Sequence, residues 1–288
     1  MKTRHADVLS FYFTGKGLSL IVNVSEPVEN AYFYTDSIAL RSAEMEEKAV
    51  ISFCHQRSFR AKDGSHDTSF LHDLEQGYYS KLEFERRKAS YLLGRYAAKT
   101  AVAVLANVPD PREIGIGNGV FQQPVVRCPS PNVQASISHS HEWGAALAFS
   151  EGIMAGIDIE RRESKHKTVF ENQLSQGEQQ LSARLPDPED GALLLWTVKE
   201  SLSKALKTGF TVPAELFEVQ CIEAGESCYI SSFVHFPIYK ALSFWLEDYR
   251  CSITYPGNVE LSIDINRLRR RFASIQNQNR LLIGKEDR

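Results

Sequence analysis

The sequence predicts an α+β protein of two pseudo-symmetric lobes, each a small, mostly antiparallel sheet packed on a long helix, with the candidate active cleft between them. Short runs rich in β-branched and aromatic residues, typical of strands, recur along the chain. Each half also contains one long helical segment, GRYAAKTAVAVL in the first and LLLWTVKESLSKAL in the second. We therefore predict an N-terminal lobe at 1–134, with an extension at 1–70 that has no assigned role, and a C-terminal lobe at 135–288.

In the first half, apolar runs at 8–13 and 18–24 predict two strands, and AVISF at 49–53 predicts a third. The polar stretch 57–69 is typical of a loop. Over 71–105 the composition turns helical, and apolar residues in its last part recur at spacings of three and four. This spacing predicts a helix that faces the core.

In the second half, AALAF (145–149) and IMAGIDI (153–159) are strand-like runs. Ser175-x-x-Glu178 is a candidate capping box at the start of a short helix. An Asp-Pro start and a later glycine predict a helix over about 188–207. The C-terminal third alternates as half-buried antiparallel strands do, and its basic run RLRRRF is interpreted as a tail or an amphipathic cover.

The composition is typical of a folded protein without a strongly charged partner. The 288 residues contain 33 Lys and Arg against 36 Asp and Glu, so a net charge of −3 gives no reason to expect nucleic acid or an anionic membrane as the main partner. Five cysteines without a C-x-x-C pair argue against a disulfide framework or a zinc site and favour the cytoplasm. Residues 14–16 interrupt the first apolar run, so we expect no signal peptide, and no apolar stretch approaches the roughly 20 residues that span a bilayer.

The segment GIDIE, residues 156–160, places two carboxylates on one face of a strand. Because side chains alternate, Asp158 and Glu160 lie together about 7 Å apart, opposite the isoleucines. Such charges repel unless a cation offsets them, and only oxygen ligands are present, which predicts a hard cation, Mg²⁺ with Mn²⁺ as the alternative. Glu200 would complete a three-carboxylate site if the apolar stripe of its helix packs on the sheet. A solvated strand face and an ordinary ion pair of Glu200 with Lys204 are the competing interpretations.

Four ordered motifs resemble those of the 4′-phosphopantetheinyl transferase superfamily, in particular its Sfp-like group. GIDIE matches the pattern G-[IV]-D-[IV]-E, and WTVKESLSK (196–204) matches W-[ST]-x-K-E-[AS]-x-x-K about 40 residues later. SISHSHEW (136–143) is similar to the N-I-S-H-S segment of the group, and FERRKASYLLGRYAAK (84–99) is similar to its F-x-R-x-x-x-x-x-x-x-G-R helix. The resemblance extends over about residues 71–217.

This resemblance implies an activity and its partners. Members of the group transfer the 4′-phosphopantetheine arm of coenzyme A onto a serine of an apo acyl carrier protein or peptidyl carrier domain and release 3′,5′-ADP. The resemblance thus implies coenzyme A as co-substrate, Mg²⁺ as cofactor, and a carrier of fatty acid, polyketide or nonribosomal peptide biosynthesis as partner. It also implies a monomer, with neither nucleic acid nor a membrane as partner.

The resemblance implies roles for residues of the two strongest motifs. Asp158, Glu160 and Glu200 would hold the Mg²⁺, which stabilises the charge that grows on the leaving phosphate. Glu200 would also take the proton of the attacking serine. Lys204 and Lys199 would contact the pyrophosphate and neutralise the departing nucleotide. Glu200 and Lys204 are therefore the predicted catalytic residues.

Further cofactor contacts are implied by the other two motifs. Arg86 follows the F-x-R match and would hold the 3′-phosphate, with an ordinary surface arginine as the alternative. Ser138 and His139 would contact a phosphate of coenzyme A, although a histidine beside serines is more often structural. The usual G-K-P of the group is replaced by QQP at 122–124, so Lys88 or its two arginine neighbours would compensate for the missing lysine.

Three further interpretations stay open. The basic run RRESKHK (161–167) would border a docking patch for an acidic carrier, or is a solvated surface. A catalytically inactive scaffold would bind coenzyme A without needing Glu200. A Mg²⁺-dependent nuclease also combines an acidic strand with a later carboxylate and lysine, but it needs a broadly basic surface that this sequence does not offer.

Overall fold

The computed structural model describes residues 32–286, except 45, 62 and 164–166. The strands predicted at 8–13 and 18–24 lie outside the described residues. The third predicted strand, 49–53, falls within a longer strand. The strands and then the helices of the described part of the chain are given below, each set in chain order.

The strands are β1 (Phe33–Arg41), β2 (Glu46–His55), β3 (Gly115–Asn118), β4 (Pro124–Arg127), β5 (Val133–Ser140), β6 (Trp143–Ser150), β7 (Gly156–Arg161), β8 (Val219–Ala224), β9 (Tyr229–Phe233), β10 (Tyr239–Leu246), β11 (Tyr249–Pro256) and β12 (Glu260–Ser262). The helices are α1 (Asp73–Tyr79), α2 (Glu85–Ala106), α3 (Lys167–Glu171), α4 (Gln176–Ala183), α5 (Pro188–Ala205) and α6 (Ile265–Glu286).

Two five-stranded antiparallel sheets form the centre of the molecule, in the orders β12-β1-β2-β6-β5 and β7-β11-β10-β9-β8. Helix α2 packs on the first sheet and α5 on the second. The opposite faces of the two sheets share one hydrophobic core, in which Phe53 and Leu147 of the first sheet join Ile157, Phe244 and others of the second. The α+β class and the arrangement of two lobes, each with one long helix, are thereby confirmed.

The division of the strands between the lobes differs from the predicted boundary at 134. Strands β5 and β6 lie in the first sheet, because β6 pairs with β2 over residues 143–148 and presents Ala146 and Ala148 to α2. Strand β12, near the end of the chain, pairs with β1 in the same sheet. Periodicity predicts a strand but not its partner, so these strands could not be assigned to a sheet from sequence.

The two sheets meet where the edge strands β5 and β7 lie side by side. Instead of a backbone ladder, three alternate serine hydroxyls of β5 accept N–H groups of β7, at 3.0, 3.2 and 3.1 Å. The pairs are Ser136 with Ile157, Ser138 with Ile159, and Ser140 with Arg161. We call this row of three contacts the serine row; it satisfies buried amides that would otherwise lose a partner.

The C-terminal helix α6 covers the core that the sheets share. Leu268, Phe272 and Ile275 are buried against that core, and the Phe272 ring stacks on Trp143 with 3.8 Å between ring centroids. The amphipathic cover, one of the two interpretations of the basic run, is thus the one observed. Within the described part of the chain, no helix is long and apolar enough to span a membrane, and all five cysteines are free.

Candidate functional site

A cleft of about 380 Å³ opens between α2 and α5, beside the serine row. Its lining includes charged groups from both helices and from β5, namely Arg87, Arg95, His139, Glu200, Lys204 and Lys207. A second cavity of about 350 Å³ lies at the far end of the shared core, beside Cys228 and Tyr255. Because the residues of the sequence motifs lie at the first cavity, we take that cleft as the candidate site.

Strand β7 presents its carboxylates to α5, as the alternation predicts. Ile157 and Ile159 enter the shared core, while Asp158 is 2% exposed on the opposite face. Asp158 Oδ1 accepts hydrogen bonds from Ser138 Oγ at 2.7 Å and from Lys204 Nζ at 2.6 Å. Its other oxygen, Oδ2, is buried without a hydrogen-bond partner among the described residues. One acidic oxygen behind the cleft is therefore left for a ligand.

The three predicted carboxylates interact electrostatically. Burial raises the pKa of Glu160 to about 8, and the charges of Asp158 and Glu200 add to the rise. Burial also raises the pKa of Glu200 to about 7; Lys204 opposes this rise and Asp158 adds to it. Since each carboxylate disfavours the charge of the next, the group requires a proton or a cation to offset it.

The donors fit a hard cation in their chemistry, although they are not arranged as a finished metal site. Carboxylate oxygens of Asp158 and Glu160 on β7 and of Glu200 on α5 are the ligand type that Mg²⁺ prefers. However, no three His, Cys, Asp or Glu side chains in the described ranges are grouped closely enough to hold a metal. The ammonium of Lys204 pairs with Asp158 instead. The unpartnered Asp158 Oδ2 is an oxygen that could bind a metal ion at this position. The Mg²⁺ site of three carboxylates stays a prediction.

The two functional groups that face these acids differ in charge. Burial would lower the pKa of Lys204, but Asp158 and Glu200 outweigh it and raise that pKa, so the ammonium stays charged. His139 faces the cleft, where burial and the nearby Lys204 lower its pKa. Its imidazole is therefore neutral near pH 7 and can donate one N–H to an anion without carrying charge.

The structure brings only part of the predicted cofactor set to the cleft. Arg86 lies instead on a small polar cavity beside Arg60 and His66. Lys88 Nζ is 2.8 Å from Glu85 Oε1 at the surface. The residue between them, Arg87, lines the cleft. Successive helical residues point about 100° apart, so a shift of one position decides which side chain reaches the cleft. Of these three residues, Arg87 is the one that lines the cleft, while Arg86 and Lys88 lie elsewhere.

Lys199 does not reach the cleft either. Its ammonium is buried, at 2.8 Å from Glu178 Oε2 and 2.9 Å from the carbonyl oxygen of Gln173. The same Glu178 forms the predicted capping box with Ser175 at the start of α4. Lys199 thus fixes α5 to α4, and Glu178 does more than cap a helix. The predicted contact of Lys199 with the cofactor stays a prediction that this ion pair disfavours.

Sequence reasoning missed two basic residues of the cleft wall, Arg95 and Lys207. Arg95 donates to Asn118 Oδ1 at 2.8 Å, and its guanidinium lies 4.6 Å from the ring centroid of Tyr91. Lys207 lines the cleft one turn beyond Lys204. The signal was present as spacing, since residues 87, 91 and 95 are four apart on one helix face and 204 and 207 are three apart.

The basic run after β7 is partly engaged in ion pairs. Arg161 Nε is 2.8 Å from Asp248 Oδ2, and Arg162 pairs with Asp190. Residues 164–166 of the run lie outside the described residues. Its role in docking a carrier therefore stays a prediction.

Comparison with known proteins points to one superfamily. Residues 154–254, which include β7, α5 and all three predicted carboxylates, match the family model of the 4′-phosphopantetheinyl transferase superfamily. The match covers this part of the chain, in which the candidate acidic residues lie. A 4′-phosphopantetheinyl transferase of Bacillus subtilis is 29% identical over 150 residues, which are 51% of this chain and 63% of the relative.

A second Bacillus subtilis relative, 4′-phosphopantetheinyl transferase ffp, is 30% identical over 122 residues, 38% of this chain and 54% of the relative. The chain thus spans less than two thirds of the length of these relatives. Among solved structures, a Bacillus anthracis holo-(acyl-carrier-protein) synthase in complex with CoA (3′,5′-ADP) is 18% identical with a TM-score of 0.30, over 39% of this chain and 96% of its own. The ACPS-CoA complex of Chronobacterium ammoniagenes is 14% identical with a TM-score of 0.28, over 39% and 94%.

Proposed function

We propose that this protein transfers the 4′-phosphopantetheine arm of coenzyme A to a serine hydroxyl of an apo acyl carrier protein or peptidyl carrier domain. The observation that supports it most is the meeting of Asp158, Glu200 and Lys204 at a cleft between two lobes. The match of residues 154–254 to the family model of the 4′-phosphopantetheinyl transferase superfamily supports the same reaction. The cleft has a volume of about 380 Å³, and its walls offer cations for phosphates.

The transfer exchanges one phosphorus–oxygen bond for another. The serine Oγ forms a bond to the phosphorus that bears the pantetheine arm, and the bond from that phosphorus to the bridging oxygen breaks, which releases 3′,5′-ADP. Asp158, Glu160 and Glu200 would hold a Mg²⁺ ion. When bound, this ion supplies positive charge to the diphosphate oxygens, where negative charge grows.

Glu200 is the proposed general base. A carboxylate with a pKa of about 7 is substantially ionised at neutral pH, yet basic enough to accept the proton of the attacking hydroxyl. Glu200 lies on the cleft wall, within the reach of a substrate that enters between the helices. The proton of the serine therefore goes to the Glu200 carboxylate as the new bond forms.

Lys204 and the other basic residues would bind the nucleotide part. The Lys204 ammonium has further N–H donors besides the one that it gives to Asp158, so it can also contact a diphosphate oxygen. Arg87, Arg95 and Lys207 line the same cleft and would hold the remaining phosphates. These residues would replace the phosphate contact of the lysine in the usual G-K-P, which is absent from QQP at 122–124.

A direct test incubates the protein with coenzyme A, MgCl₂ and a panel of apo carriers and follows each carrier by intact-protein mass spectrometry. We expect one carrier to gain the mass of a single phosphopantetheine group, with no gain when EDTA is present. A folded protein that binds coenzyme A but modifies no carrier of the fatty acid, polyketide and nonribosomal peptide classes would support the inactive scaffold instead.

A further inference from the structure

The serine row does more than join the two sheets. Ser138 Oγ accepts the N–H of Ile159 and donates to Asp158 Oδ1 at 2.7 Å. Ser140 Oγ accepts the N–H of Arg161 and donates to Glu160 Oε2 at 2.8 Å. Two hydroxyls of the first sheet thus hold two acidic side chains of the second.

The geometry leaves each hydroxyl little freedom. A serine hydroxyl has one proton to donate, and its oxygen position here is set by the amide that it accepts. Ser138 and Ser140 are 5% and 6% exposed, so water has little access to that proton. Ser140 Oγ also lies 3.3 Å from His141 Nδ1, but Glu160 Oε2 is the nearer acceptor at 2.8 Å. The direction of each O–H bond then fixes one oxygen of the neighbouring carboxylate. For Asp158 this contact, with Lys204, occupies Oδ1 and leaves Oδ2 without a partner.

The third serine of the row, Ser136, provides an internal control for the other two. Ser136 Oγ accepts the N–H of Ile157 at 3.0 Å, as its two neighbours accept theirs. The residue opposite it, Gly156, has no side chain, so Ser136 has no carboxylate to hold. A difference between Ser136 and the other two serines therefore reports on the carboxylates and not on the joining of the sheets.

We propose that Ser138 and Ser140 are positioning residues that hold Asp158 and Glu160 ready to bind a divalent cation. The role differs from the direct phosphate contact predicted for Ser138, and it rests on the proposed function for the use of that cation. Since the hydroxyls belong to one sheet and the carboxylates to the other, the cation site is complete only when β5 and β7 lie together.

The test measures Mn²⁺ binding directly, by the electron paramagnetic resonance signal of free Mn²⁺, in Ser138→Ala, Ser140→Ala and Ser136→Ala of the full chain. Loss of a group that orients a metal ligand typically weakens metal binding about 10- to 100-fold, and we expect such a loss for Ser138→Ala and Ser140→Ala. Ser136→Ala should bind Mn²⁺ as the parent does. Ser140→Thr keeps the hydroxyl and should restore the affinity.

Urea unfolding of each variant shows whether the variant is folded before its Mn²⁺ affinity is compared. If Ser138→Ala does not fold, the comparison of Ser140→Ala with Ser140→Thr tests the positioning role. Equal Mn²⁺ affinity in all three alanine variants and the parent, or an equal loss in all three, would overturn the positioning role. A parent that neither binds Mn²⁺ nor modifies a carrier would instead refute the proposed function, so the two failures are distinguishable.

Discussion

The two long helices are fixed to the molecule in the same way, yet only one of them carries the candidate chemistry. In each lobe a buried lysine of the long helix pairs with the third-residue glutamate of a preceding capping box. The other oxygen of that glutamate accepts the N–H of a residue further along, at 3.1 Å and 3.0 Å. The matched sets are Glu75, Lys99 and Ile116 in the first lobe and Glu178, Lys199 and Val219 in the second.

The difference begins at the next residue. Thr100 follows Lys99, and its hydroxyl lies 2.7 Å from Ser52 Oγ, between α2 and its sheet. Glu200 follows Lys199 and faces the cleft with a raised pKa. The ion pair therefore belongs to the scaffold of both lobes, while the candidate catalytic residues Glu200 and Lys204 lie on α5 alone.

The largest expected effect separates these two positions. Glu200→Gln should lower the rate of phosphopantetheine transfer about 10²- to 10⁴-fold, the range for loss of a general base, without lowering stability. Thr100→Val should leave the rate near that of the parent. Both rates are measured by mass spectrometry of the carrier in samples quenched at set times.

The same prediction has a pH signature. A base works only when it is deprotonated; in the protein without a cation the Glu200 pKa is raised to about 7, and a bound Mg²⁺ would lower it. Transfer by the parent should therefore rise with pH at or below about 7, and the rise should be absent in Glu200→Gln. A parent rate that is flat across this range, or a variant with the parent rate, would remove Glu200 from the chemistry.

The next effect tests whether the two ion pairs are equivalent. Lys199→Met removes the lysine that pairs with the buried Glu178, and breaking such a pair costs about 3–5 kcal/mol of unfolding free energy. After Lys99→Met, Glu75 still has Arg95, whose Nε lies 3.7 Å from Glu75 Oε1. Urea denaturation should therefore show a loss in both lobes, with the smaller loss for Lys99→Met. Lys88→Met, which breaks an exposed pair with Glu85, is the control and should change stability little.

The KM for coenzyme A gives an independent readout for Lys199. A structural lysine affects stability, whereas a cofactor contact affects the binding of coenzyme A. We expect the folded fraction of Lys199→Met to keep the parent KM. A raised KM at unchanged stability would restore the assignment of Lys199 to cofactor binding.

A smaller effect concerns how closely each helix approaches its sheet. A methyl group on Gly144 of β6 would lie 2.8 Å from the carbonyl oxygen of Leu93 on α2, and one on Gly156 of β7 would lie 2.1 Å from that of Ser201 on α5. Overpacking typically costs about 1–3 kcal/mol. Thermal unfolding should show a larger loss for Gly156→Ala than for Gly144→Ala, and the reverse order would show that α5 has more room than α2.

The smallest effect compares the ends of the helices. The first residue after α2 and the second residue after α5 have left-handed backbones, with φ of 53° at Asn107 and 59° at Lys207. Asparagine adopts this conformation readily, whereas lysine does so at a cost of roughly 1 kcal/mol. Lys207→Gly should therefore raise stability more than Asn107→Gly, and equal changes in urea denaturation would contradict this.

The sequence was sufficient where a feature depends on neighbouring residues. Alternation along GIDIE placed Asp158 and Glu160 on the face that meets α5, and the capping box at Ser175 formed as expected. The sequence was insufficient where the rotational position of a side chain on a helix, or the partner of a strand, decides which residues meet. Arg87 lines the cleft and Arg86 does not, although the two residues are neighbours on the helix, and the sequence pattern does not distinguish them. The periodicity of a strand also does not show which strand lies beside it, so the contact of β5 with β7 was not predicted.

The repeated ion pair was hidden for the same reason. Glu75 and Lys99 are 24 residues apart, Glu178 and Lys199 are 21 apart, and no shared motif surrounds them. Each pair forms only because a short helix folds back against a long one. Such contacts are set by tertiary packing and have no local signal in the chain.

The central claim is that the acidic side chains of β7 and α5 gather a divalent ion at the cleft that binds coenzyme A. A crystal structure of the protein with coenzyme A and Mn²⁺, with anomalous scattering to locate the metal, tests it most directly. The account predicts one Mn²⁺ peak bound by Asp158 and Glu160 oxygens and by the diphosphate, between α2 and α5. A peak remote from these carboxylates, or coenzyme A in the cavity beside Cys228 and Tyr255, would contradict it.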